Sequence, residues 1–157
     1  MRVYVGMTFD GLSELHRTSE LGPAPLRAHA VTPALRESYA DGDTEELEYV
    51  ALTAAALDSL RRLAGGTGPM RRVVVVAEVP DAAVTPTGET RSSVTVGAVV
   101  PLTEVASVHL DDEANADRVG AAAVAVGGGD ETAEAVEDAQ AEELMWFATQ
   151  ELPYLLG

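Results

Sequence analysis

The chain has no lysine, no isoleucine and no cysteine in 157 residues, and only one asparagine, Asn115, and one tryptophan, Trp146. Without cysteine there is no disulfide, no thiolate nucleophile and no thiolate metal site, and nothing points to an oxidising compartment. Long apolar runs are missing as well. The longest uncharged stretches, Ser92 to Thr103 and Val119 to Gly129, fall far short of the about 20 apolar residues that cross a bilayer. The opening MRVYV runs straight into a strand-like pattern and then Asp10 and Glu14, without signal-peptide anatomy, so a cytoplasmic location is expected. All ten positive side chains are arginines, scattered along the chain, and no basic stripe interleaved with aromatics exists, which argues against direct nucleic-acid binding.

Negative charge is abundant. Thirteen of the 26 acidic residues lie from Glu104 onward, against Arg118 alone, so the last third carries 12 of the 16 net negative charges. Such a segment repels phosphate backbones and acidic membrane leaflets and favours cationic protein surfaces. The composition, rich in Ala, Val and Gly, matches a GC-rich genome, and an acidic surface also serves solubility.

A chain of this length buries roughly 68–70% of its unfolded surface, enough for one self-sufficient domain spanning 1–157. Val3 and Val5 alternate with Arg2 and Tyr4, a half-buried strand. Asp10 offers an N-cap for a short helix on Leu12 and Leu15 ending near Leu21, and a strand fits Leu26 to Val31. Thr32-Pro33 opens a short helix to about Tyr39, and Ala40-Asp41-Gly42 breaks it. Asp43 and Glu46 form a capping box for a long helix closed by Gly65-Gly66, with apolar stripes such as Leu47, Val50, Ala54 and Leu57 that predict deep burial.

Val73 to Val76 is a β-branched run without alternation, as in a central strand. Asp81 to Arg91 reads as an exposed loop or a long hairpin connection, Val94, Val96 and Val99 as a strand, and Val105 to Leu110 as the last strand. Asp111 to Val126 fits helix or strand end. Beyond Gly127-Gly128-Gly129, Asp130 caps a predicted final helix that carries Leu144, Met145, Trp146 and Phe147 and stops at Pro153. The order predicts a single-domain α+β sandwich, a mixed, mostly antiparallel sheet with helices packed on it, and an acidic helical segment over 111–157.

Chemistry-bearing motifs are few. His16, His29 and His109 share no metal-ligand spacing and read as structural histidines, with Asp111 placed to orient His109 on one strand face. The Asp111-Asp112-Glu113 run with Asp117 lacks a calcium-loop frame and reads as a solvated charge run. Gly65-Gly66-Thr67-Gly68 lacks a phosphate-binding lysine, and no G-x-S-x-G occurs. No catalytic residue, metal or cofactor is expected.

The segment from Ala30 to Leu63, with RRVVVVAEVPDAAVTP and the closing ATQELP, resembles a small family of actinobacterial proteins of unknown function over nearly the whole chain. Tyr4-Val5-Gly6-Met7-Thr8, the helix after it, Ala30-Val31-Thr32-Pro33, VVVVAEVP and VPLTEVASV are similar in order to the elements of ADP-ribosyltransferase-like folds. In those enzymes the first strand often reads Tyr-His-Gly-Thr and its His helps hold NAD. Val5 stands in that place here, which implies an inactive copy or one that binds something else. The resemblance places Tyr4, Thr8, Arg36, Tyr39 and Tyr49 around a nucleotide, with Arg36 as the anion contact.

The reading favoured by charge is a non-catalytic interaction or regulatory protein that offers its acidic end, including Glu142, Glu143 and Trp146, to a basic protein surface. A degenerate transferase-like nucleotide binder and an acidic nucleic-acid mimic are the alternatives. A homodimer through the apolar end of the last helix is a further possibility.

Overall fold

Alternation at the N-terminus becomes a central strand. In the computed structural model, which describes residues 1–39 and 41–157, β1 (Arg2–Met7) turns Val3, Val5 and Met7 to one face and Tyr4 to the other. Helix α1 (Phe9–Thr18) follows, then β2 (Glu20–Leu21) and β3 (Leu26–Ala30). The Thr8 hydroxyl, not Asp10, caps α1 by accepting the Gly11 N–H, and Ser19 in the left-handed region (φ 59°) ends it before Leu21, which pairs in β2 instead. Helices α2 (Pro33–Ser38) and α3 (Thr44–Ala64) start where Thr32 and Asp43 predict. The expected break at Ala40-Asp41-Gly42 falls in part outside the described residues, at Ala40.

Strands β4 (Val73–Glu78), β5 (Val84–Pro86), β6 (Ser93–Val96), β7 (Val100–Pro101) and β8 (Val105–Leu110) come next. The stretch read as a loop or a long hairpin connection contributes β5, which pairs antiparallel with β6, while Val99 lies outside β6 and is exposed. The ambiguous segment resolves as α4 (Ala116–Gly127). The last part departs most from expectation. Asp130 caps no helix and accepts instead from the Thr132 N–H and hydroxyl, and α5 (Glu134–Ala141) ends early. Met145–Ala148 is strand β9, and Pro153 sits in the first turn of α6 (Leu152–Leu156) rather than ending a helix. Two aromatics in sequence suit a pleated edge, where β8 offers a partner.

Seven strands form one antiparallel sheet in the order β5-β6-β3-β1-β4-β8-β9, and β2 pairs with β7 apart from it. This is the α+β sandwich. On one face α1, α6 and the β2–β7 ribbon cover Val3, Val5, Val75, Val108 and Leu110, with Leu12, Leu15 and Leu152 as the helical contribution. On the other, α3 lies across β3, β1 and β4, and α4 and α5 pack on α3 through Leu60, Leu63, Val119, Ala122, Val136 and Ala139.

Small residues let α3 approach the sheet. Its fully buried line is Leu47, Ala51, Ala55, Ser59 and Leu63, an i, i+4 row, while Leu57 is only half-buried, short of the burial its stripe predicts. A Cβ on Gly6 would stand 2.1 Å from the Ala55 carbonyl oxygen, so only glycine fits beneath the helix. Ser59 pins the contact: its hydroxyl donates to the Met7 carbonyl at 2.7 Å and accepts the Val73 N–H at 3.0 Å. Among the described residues, no helix is long and apolar enough to cross a membrane.

Candidate functional site

Because α3 covers only the middle strands of its face, the outer strands are left open on either side of it, and each opening is a cleft. The first lies between α3 and the β8–β9 edge. It has a volume of about 270 Å³ and is walled by Tyr49, Leu52, Thr53 and Ala56 of α3, by His109 and Trp146 of the sheet, and by Glu142, Glu143 and Leu144 after α5. Trp146 sits opposite His109 in the β8–β9 register and is 61% exposed; Tyr49 is 54% exposed.

Below these residues lies a buried ion pair. Arg72 donates from its backbone N–H and Nε to Asp111 Oδ2 at 2.7 and 2.9 Å and from Nη2 to Oδ1 at 2.8 Å. Its Nη1 reaches Gln140 Oε1 at 2.8 Å and its Nη2 the Glu142 carbonyl at 3.0 Å, while Gln140 donates to the Thr53 carbonyl at 3.0 Å. One guanidinium thus ties β4 to the end of α5 and, through Gln140, to α3. Asp111 is completely buried, so it does not belong to a solvated charge run, and its partner is Arg72 rather than His109. His109 has Ser107 Oγ at 3.3 Å from Nε2, and burial pulls its imidazole below the ordinary 6.5. With four hydrogen bonds on the Arg72 guanidinium and its charge balanced by Asp111, the cleft above it is mostly apolar.

Charge stands at the rim. Glu142 pairs with Arg118, the one cation of the acidic segment, whereas Glu143 is exposed and enters no ion pair among the described residues. Glu142, Glu143 and Trp146 are brought together here as the sequence suggests, and Tyr49 joins them, although Trp146 gets there on an edge strand rather than on a docked helix.

The second cleft, about 470 Å³, opens between α3, β3 and β6 and is lined by His29, Asp58, Arg27, Arg61, Arg62 and the 87–93 turn among others. His29 Nε2 is 2.6 Å from Asp58 Oδ2, and since a carboxylate only accepts, Nε2 carries the proton and Nδ1 faces the Ser92 hydroxyl at 2.8 Å. Asp58 Oδ1 accepts from Arg61 Nη1 at 2.5 Å, and Arg61 also grips Glu131 through Nε and Nη2, both at 2.7 Å. Burial works to raise the Asp58 carboxyl, but His29 and Arg61 outweigh it and hold it below 3.8. Ser, His and Asp in series have the composition of a hydrolytic triad. Ser92, however, is buried and does not line the cleft, so its hydroxyl faces no substrate. The three residues lie 29 and 63 positions apart, a spacing with no motif to reveal it.

The five residues of the nucleotide-binding reading do not converge. Tyr4 and Arg36 line a third hollow, where the Tyr4 hydroxyl donates to Glu48 Oε2 at 3.0 Å and burial pushes the phenol well above its usual range. Thr8 is committed to capping α1, Tyr39 ends α2, and Tyr49 belongs to the β9-side cleft.

A family model of unknown function, DUF6912, matches residues 1–156. The chain belongs to that family. No curated protein and no solved structure shows significant similarity to it. Membership in DUF6912 thus brings no activity with it, and the chemistry of the two clefts is the basis for a functional reading.

Proposed function

We propose that this DUF6912 chain is an interaction module whose β9-side cleft takes a cationic segment of another protein. The observation that carries the reading is the exposed Trp146 and Tyr49 standing over an apolar cavity with the unpaired Glu143 at its rim. An arginine or lysine side chain can lie along an aromatic face with its charged end on a carboxylate, which combines a cation–π contact with an ion pair. A neighbouring apolar side chain has Leu52, Ala56 and Leu144 to bury against.

Side chains rather than an added strand supply this recognition, because β9 is four residues long and the Ala148 N–H is already taken by Glu151 Oε2 at 2.7 Å. A second copy of the chain fits poorly, since it would set Glu143 and the surrounding net charge of −16 against themselves. The transferase-like reading draws no support from residues divided among separate places.

Trp146 is the only tryptophan, so its fluorescence reports on this cleft alone. Titration with an alternating Arg–Leu peptide should give a saturable emission change that weakens as salt is raised, and a Glu–Leu peptide should give none. Glu143→Gln should weaken binding more than Glu142→Gln, whose carboxylate already serves Arg118. Emission that does not move at about millimolar peptide, the weak end of specific affinity, overturns the proposal.

A further inference from the structure

The cleft on the opposite side of α3 has a different chemistry. Ten arginines are the chain's whole supply of cationic side chains other than histidine, and three of them, Arg27, Arg61 and Arg62, line this one cavity. Arg61 is fully engaged by Asp58 and Glu131. Arg27 uses only Nη2, on Glu89, and Arg62 makes no side-chain hydrogen bond or ion pair among the described residues. A guanidinium has five N–H donors in a planar fork matched to oxyanions. Thr90 Oγ1 lies 2.5 Å from Ser93 Oγ and 3.4 Å from Ser92 Oγ, whose own proton goes to His29 Nδ1, so the hydroxyls of this turn are hydrogen-bonded among themselves and the free donors are those of the arginines. The walls therefore hold more donors than acceptors.

The floor is rigid. Asp58 and Ser92 fix both nitrogens of the buried His29, and the Gly6–Ala55 contact and the Ser59 hydrogen bonds seat α3 at a set height over β1. Donors held this way need little reordering to bind.

We propose that this cleft is a binding site for a small molecule carrying a single oxyanion, a phosphate or a carboxylate. Arg62 reaches the anion from α3 and Arg27 from β3. The volume of about 470 Å³ suits a metabolite-sized ligand. A polyanion such as nucleic acid is disfavoured by the net charge of −16 and by Glu89 and Glu131 beside the arginines.

Amide ¹H–¹⁵N spectra of the whole chain, titrated with inorganic phosphate and separately with acetate at an ionic strength held constant by sodium chloride, test this site. Saturable shifts should appear at residues 27, 62 and 87–93 with at least one anion, and the stronger of the two names the ligand class. Arg62→Gln, at an exposed position, should lower the affinity about tenfold or more, the worth of a hydrogen bond to a charged group. Glu143→Gln, in the other cleft, should leave it unchanged, so this result and that of the peptide titration fail independently. Shifts no larger than chloride alone produces, or Arg27→Gln and Arg62→Gln chains that bind like the parent, overturn the proposal.

Discussion

Tyr49, Leu52 and Ala56 of α3 face the β9 side, while Asp58, Arg61 and Arg62 toward its C-terminal end face the β6 side, so one helix walls two clefts of opposite character. Arginine is close to both, and what differs is how much of it is satisfied. In the β9-side cleft the Arg72 guanidinium makes four hydrogen bonds to protein and is buried, so its charge is structural and the surface above it stays mostly apolar. In the β6-side cleft Arg27 uses one Nη alone and Arg62 has no partner among the described residues, so donors remain for a ligand. Proximity of a charge to a cavity thus says little until its partners are counted.

Removing the partner in the satisfied pair gives the largest expected effect. Asp111→Ala leaves the Arg72 guanidinium buried without its carboxylate and should cost about 3–5 kcal/mol in urea unfolding, the range for breaking a buried ion pair. A loss below about 1 kcal/mol would place Arg72 in contact with water and remove the distinction between the clefts.

Gly6→Ala tests what the clefts share. Its methyl group would meet the Ala55 carbonyl and the Ser59 backbone, so α3 must lift from β1. Overpacking of this kind costs about 1–3 kcal/mol or more. The displacement should weaken peptide binding on one side and anion binding on the other together, as read by the two titrations. If only one responds, the clefts are not set by a common helix position.

Acid should separate the clefts in a smaller, graded way. His109 has its folded pKa below the 6.5 of the free side chain, so between the two values the unfolded chain binds the proton first and stability rises with pH. Its contribution is complete above about 6.5 and is lost as pH falls from there through the folded pKa, at no more than about 1.4 kcal/mol per pH unit for one proton. Asp58, also lowered, contributes above its ordinary 3.8 and loses that only in stronger acid, as pH falls through its folded pKa. Urea midpoints compared at about pH 7.5 and about pH 5.5 should fall for the parent chain and fall less for His109→Gln. Equal slopes would take His109 out of the buried wall.

How much of this was legible in the sequence depends on the range of the interaction. The caps at Thr32 and Asp43, the long helix and the central β4 were readable because each rests on neighbouring residues and on apolar periodicity. The Trp146 segment was misread because carboxylates followed by Leu-Met-Trp-Phe resemble a docked helix, and only the presence of β8 beside it favours a strand. Glu142, Glu143 and Trp146 could be grouped since they are adjacent, and charge marked them. The Arg72–Asp111 pair and the Asp58–His29–Ser92 chain depend on folding across 29 to 63 positions, and nothing in the composition of their surroundings marks them. Leu57 stands on an apolar stripe, but its half-burial is set by where α4 and α5 rest on α3, which the periodicity of one helix does not contain.

The smallest stability effect, and the most telling one for function, belongs to Trp146→Ala. A side chain 61% exposed on an edge strand buries little on folding, so the variant should unfold within about 0.5 kcal/mol of the parent. In the parent, Trp146 emission should be red-shifted and readily quenched by acrylamide, in contrast to the blue-shifted signal of a helix docked on the sheet. Calorimetry with the Arg–Leu peptide should lose its heat in Trp146→Ala, while phosphate or acetate still shifts the amides around Arg62. Loss of more than about 1 kcal/mol with peptide binding intact would reverse the assignment. The tryptophan would then be holding β9 to the sheet, and the exposed carboxylates would have to attract their partner without an aromatic surface beside them.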